Sequence, residues 1–122
     1  MRYLLMHRLD ESRPEAFNPS PEFIARMGEF IEEVAKTGAL ITAEGVLPSD
    51  KGALIRRSSG QRTVTDGPFT EAKEVVGGFA LVQVKDKAEA VALASRFADL
   101  FEEVEVEVRQ VAEFSDIEGA TS

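Results

Sequence analysis

An α+β fold of ferredoxin-like type is predicted by three observations: the order of the periodic segments, two strands that are apolar on both faces, and two amphipathic helices with clear start signals. The segments run β-α-β, then a β-hairpin, then β-α-β. Tyr3 to His7 is apolar at nearly every position, as a strand covered on both faces should be. Asp10 to Pro19 is a polar, proline-containing loop. Ser20-Pro21 then supplies an N-cap hydroxyl followed by proline at the first helical position. Phe23, Ile24, Met27, Phe30, Ile31 and Val34 recur at helical spacing, opposite Glu22, Arg26, Glu29, Glu32, Glu33 and Lys36. Gly38 follows as the residue that ends the helix.

The second half of the chain repeats this logic. Ala39 to Leu47 is a strand carrying Leu40, Ile41 and Val46, and Pro48 to Gly52 is a turn. Ala53 to Arg57 and Arg62 to Thr65 flank a short loop and read as a hairpin. Gly78 to Lys85 sets Phe79 and Leu81 on one side and Ala80, Val82 and Val84 on the other. Asp86 caps a second helix, with Glu89 completing a capping box and Ala90, Leu93, Ala94 and Phe97 as its buried stripe. Glu103 to Val111 alternates between valine and charge, the pattern of a half-exposed strand. Residues 1–114 are thus expected to be one domain, and 115–122, with little to bury, a flexible tail.

Composition removes several function classes. A length of 122 residues suits one domain with its own core. No apolar run reaches the length a membrane span needs, and the apolar block at the N-terminus is too short for a signal peptide. With no cysteine there is no disulfide framework, and a cytoplasmic protein is expected. A net charge of −8 argues against a nucleic-acid binder, which needs a concentrated basic surface; Arg56-Arg57 is the one tight basic pair. One histidine leaves no zinc set, and the glycine-rich nucleotide loops and the G-x-S-x-G elbow are missing, so no cofactor is expected.

Two helices cover only one face of such a sheet, yet two strands are apolar on both. A second copy related by a two-fold axis is the simplest cover for the other face, so a homodimer is expected. The competing cover is the chain's own hairpin or C-terminal tail.

Candidate chemistry gathers around the stretch from Val64 to Phe79. A β-like run stops at Asp66-Gly67-Pro68-Phe69, a charged link with Glu71, Lys73 and Glu74 follows, and Gly77-Gly78 opens an apolar strand. This pattern resembles the DGPF branch of the YCII-related family, over roughly Met1 to Phe114. The resemblance implies a dimeric α+β barrel, with sheets paired face to face. It also implies a place for Glu71, Lys73 and Glu74 in the site or its supporting loop. Shorter relatives carry a histidine near the start of the first helix that pairs with an aspartate. The corresponding Glu22-Phe23-Ile24-Ala25 has none, so that dyad does not transfer.

The catalytic candidates are therefore Asp66, His7, Lys73 and Glu74. His7 closes the first strand and is the one side chain whose unperturbed pKa lies near neutrality. Asp66 is either a turn-making carboxylate or a base beside the pocket. Lys73 among carboxylates would hold an anionic group. Glu44, Phe69 and Glu71 are the expected substrate-binding residues. Two functions follow. One is a cofactor-independent small-molecule enzyme, an isomerase, lyase or dehydrochlorinase working by proton transfer. The other, implied by the resemblance, is an accessory module that docks its acidic surface on an extracytoplasmic-function sigma factor. The enzyme is preferred because ionisable groups gather where a pocket should lie.

Overall fold

The computed structural model describes residues 1–121. Its elements are β1 (Arg2–Leu9), α1 (Pro21–Lys36), β2 (Leu40–Gly45), β3 (Ala53–Ser58), β4 (Gln61–Asp66), β5 (Val75–Gln83), α2 (Lys87–Ala98), β6 (Glu105–Gln110) and α3 (Phe114–Thr121), with one 3₁₀ turn at Ser49–Lys51. Four strands form an antiparallel sheet in the order β2-β5-β1-β6. The fold is ferredoxin-like α+β, as expected. β1 and β5 hold the two central places.

Register sorts the sheet into two faces. Leu40, Val82 and Tyr3 align in one row, and Ala43, Ala80, Leu5 and Val108 in the next. These rows face the helices, and Tyr3, Leu5, Val82 and Val84 pack with Ala90 and Ala94 as the buried core. The intervening rows lie on the other face: Glu44, Phe79, Met6 and Glu107, then Thr42, Leu81, Leu4 and Arg109. That open face is apolar at its centre and charged at its rims. Glu107 accepts from Arg8 and, at 3.0 Å, from Arg109, which ties β6 to β1.

The two helices cover the inner face unequally. α2 presents alanines, Ala90 and Ala94, and small side chains let its backbone sit close to the sheet. α1 presents Phe23, Met27 and Phe30, and only Val34 is fully buried. Ile24 and Ile31 stay 58% and 36% exposed, so α1 stands off the sheet and leaves unfilled space beneath it. Its ends are set by local chemistry: the Ser20 hydroxyl accepts from the Phe23 N–H at 3.1 Å, and Gly38 takes φ +81° beyond the last turn. Gly28 lies in the interior of α1, and a methyl group there would meet nothing within 4 Å. Gly28→Ala is expected to raise stability by roughly 0.5–1 kcal/mol, read as a higher melting temperature. An unchanged or lower value would refute that account.

Two segments depart from a plain four-stranded domain. β3 and β4 form a separate two-stranded sheet. Ser59 and Gly60 both have positive φ, 52° and 77°, the signature of a type I′ two-residue turn. Every residue of both strands is exposed, so the hairpin is an arm that packs on none of the core. The segment expected as a tail, 115–122, begins within α3 (Phe114–Thr121). Glu113 anchors that helix by accepting both Arg2 Nε and Nη2, at 2.7 and 3.0 Å. Phe114 and Ile117 are 76% and 57% exposed, so α3 does not bury them against the open face. Ser122 lies outside the described residues.

Candidate functional site

The site grows from one irregularity in strand pairing. His7 pairs with Gly78, but Arg8 pairs with Val76, so Gly77 is the extra residue of a β-bulge. Both glycines then turn toward the His7 ring. A Cβ on Gly77 would lie 2.7 Å from Nε2, and one on Gly78 would lie 2.8 Å from Cε1 and 2.6 Å from the Glu44 carbonyl oxygen. The Gly77-Gly78 pair is therefore the space that the imidazole occupies. On its other side the ring meets Phe97 and Phe101, at centroid distances of 5.2 and 5.5 Å, and Phe23 packs edge-on to Phe101 at 4.8 Å.

This aromatic shell pushes the His7 pKa down, because burial penalises the imidazolium. His7 is thus a neutral imidazole at pH 7. Among the described residues no side chain or backbone group hydrogen-bonds to it, leaving its donor and acceptor for another molecule.

Next to His7 lies the space under α1, a cavity of about 360 Å³. Leu5, Phe23, Met27, Phe30 and Leu93 are among its walls, and the lining is almost wholly apolar. Glu44 also borders it, although register sets that side chain on the open face beside Phe79. A second space of about 400 Å³ adjoins the first across Leu9, Ala16, Pro19, Phe23 and Phe101. This one is more polar than the first, with Asp10, Arg13, Arg26, Glu74 and Glu103 in its rim. The loop after β1 roofs it. Arg13 holds that loop in place by pairing with Glu15 at 2.9 Å and with Glu103. Within the loop, Asp10 is held below the usual carboxylate range, first by its hydrogen bonds from Ser12, with smaller help from Arg13 and Lys73.

The Asp66-Gly67-Pro68-Phe69 turn does a different job. The Gly67 N–H donates to the Gly52 carbonyl at 2.9 Å, and the Phe69 N–H donates to the Ser49 hydroxyl at 2.9 Å. Ser49 is buried, and both its N–H and its hydroxyl donate to the Glu11 carboxylate. The turn thereby clasps the base of the arm to the loop after β1. Asp66 ends β4 opposite Ala53 and is exposed. The structure brings only His7 and Glu44 to the apolar cavity, and Glu74 to the more polar one; Asp66, Phe69, Glu71 and Lys73 border neither. Sequence reasoning missed Glu11 and Ser49, a contact between distant loops that no local pattern reports. It also missed Phe101, although its i, i+4 spacing from Phe97 was a usable signal.

Among the described residues no helix is long and apolar enough to cross a membrane, and no group of three or more His, Asp or Glu side chains is placed to hold a metal ion. Comparison with known proteins finds an uncharacterised protein of Rhizobium meliloti (strain 1021), 28% identical over 96 residues and covering 77% of each chain. The sequence profile of the YCII-related domain matches residues 1–115, nearly the full length described. Fold and profile agree, and the chain belongs to the YCII-related domain family.

Proposed function

We propose that this protein binds a small, mainly apolar organic molecule under α1, with His7 as its polar contact and as the acid–base group of a cofactor-independent reaction. One observation carries the proposal: a neutral imidazole without a hydrogen-bond partner faces an otherwise apolar cavity large enough for a small ligand. A low-dielectric wall strengthens any hydrogen bond made there. A ligand with an aromatic or aliphatic body and one acidic O–H or C–H fits both parts. The more polar space beyond Phe23 and Phe101 gives such a molecule a route from water. The motif from Asp66 to Phe69 favours the DGPF branch of the family, and the absence of cysteine suits a cytoplasmic setting. A second copy is the natural cover for the open face, because neither the arm nor α3 buries the apolar row of Leu4, Met6, Phe79 and Leu81. The alternative of an accessory module docking on a basic sigma factor draws on the family resemblance and the acidic surface, and gives the cavity no task.

The test is a ligand-observed NMR screen of small phenols, carboxylic acids and amines, followed by amide shift mapping. Binders are expected to move the Gly77 and Gly78 amides and the His7 ring, and to raise the melting temperature. Hits that leave all three signals still and map to the arm or the open face would overturn the cavity as the binding site.

A further inference from the structure

We propose that the β3–β4 arm is a gripping element for a second copy of this chain, reaching over the rim of that copy's open sheet face. The inference rests on the homodimer proposed above and adds what the arm contributes to it. Charge is the first observation. Between Lys51 and Thr65 there are four cations and no acid, so the net charge of −8 divides into +4 on this stretch and −12 on the rest. Asp50 and Asp66 bracket the stretch at its base.

Pairing is the second. Arg2, Arg8, Arg13, Arg96 and Arg109 each form an ion pair, whereas Arg56, Arg57 and Arg62 form none among the described residues. Arg57 and Arg62 stand directly opposite each other across the hairpin. Like charges so placed destabilise a strand pair unless an anionic partner lies between them. On the same face the neighbouring cross-strand pair is Ile55 and Val64, 67% and 61% exposed. Two unpaired guanidinium groups beside an apolar pair suit a surface that is apolar and edged with carboxylates.

The open face is such a surface. Its centre is Phe79, Met6, Leu81 and Leu4, and its rims carry Glu44 and Glu105. Glu107 is already held by two arginines, but Glu105 lies 3.9 Å from Arg8 and is exposed, and Glu44 forms no ion pair among the described residues. Strands of six residues extend about 20 Å, and a four-stranded sheet is about 15 Å across. The arm is therefore long enough to reach a rim of the facing sheet. In the dimer, Arg57 and Arg62 of each copy meet one carboxylate rim of the other, Glu44 on the β2 edge or Glu105 on the β6 edge.

Sedimentation velocity on four samples tests this: wild type, R57E/R62E, E44K/E105K, and an equal mixture of the two variants. All the altered side chains are exposed, so each variant should melt near the wild-type temperature. The expected result is a wild-type dimer, at least about tenfold weaker self-association in each variant, and recovered association in the mixture, where reversed arms meet reversed rims. A wild-type dimer whose affinity R57E/R62E leaves unchanged overturns the arm's role while the homodimer stands. A monomeric wild type overturns both. If the arm's cations then bind heparin or single-stranded DNA, and R57E/R62E does not, the arm belongs to a polyanion instead.

Discussion

Replacing Gly67 by alanine is expected to destabilise the protein by about 3 kcal/mol, near the upper end for overpacking a site that cannot relax. The added Cβ would lie 2.5 Å from the Ser49 carbonyl carbon and closer still to its oxygen. Both are backbone atoms, so no side-chain rotation relieves the clash. Ser49 cannot retreat, because its N–H and hydroxyl are bound to Glu11 and its hydroxyl also receives the Phe69 N–H. Either the Gly67-to-Gly52 hydrogen bond or the Ser49 cluster must open, and each opening exposes a buried polar group. For a chain of this size the melting temperature should fall by about 10 °C. Amide exchange at Gly67, Gly52 and Phe69 should quicken before that of Leu5 or Val82, since the joint opens ahead of the core. A variant that melts like the wild type, with those amides still protected, would show that the turn does not clasp the arm.

That joint also shows where sequence reading succeeds and where it stops. Helix caps are local, so Ser20-Pro21, Asp86 with Glu89, and Gly38 could be placed from sequence alone. The structure bears this out: Asp86 accepts from the Glu89 N–H at 2.9 Å. That Tyr3 to His7 and Gly78 to Lys85 are strands was legible from their apolar runs; their central places in the sheet were not, because strand order is decided by pairing between distant segments. The glycines of β5 were legible as glycines but not as a mould for His7. Their role needs the bulge that sets Gly77 and Gly78 on one face, and bulge register is decided by pairing between distant strands. The cavity was hidden for a similar reason. The stripe of α1 has the same period whether its helix packs tightly or stands off; side-chain bulk decides, and Phe23, Met27 and Phe30 against the alanines of α2 were the available hint. From sequence Asp66 has two readings, a turn-making carboxylate or a base beside the pocket, and only contacts between distant loops distinguish them. The turn is tied to Ser49 and Glu11.

His7→Phe separates chemistry from packing at the proposed site. Phenylalanine keeps an aromatic ring between the glycines and the Phe97–Phe101 pair, but removes both nitrogens. Binding of a ligand whose polar group meets His7 should weaken by about tenfold to a hundredfold, the cost of leaving that group unpaired in an apolar cavity. If a proton is transferred there, turnover should fall by about 10²–10⁴-fold. The pH dependence has a definite sign. Burial lowers the His7 pKa from its ordinary 6.5, so the unfolded chain takes up the proton at a higher pH than the native one. The stability linked to His7 is therefore complete above about pH 6.5 and is lost as pH falls toward and through the native value. Glu107 and Glu113, held below their ordinary 4.5 chiefly by hydrogen bonds from Arg8 and Arg2, lose their contribution in a separate, more acidic window. Denaturant melts of the wild type should thus show two steps on acidification, and the variant only the lower one. Ligand affinity in the wild type should track the upper step, because a protonated imidazole cannot accept. A variant that keeps both the upper step and the affinity would leave His7 as packing alone, and the cavity would need another polar partner.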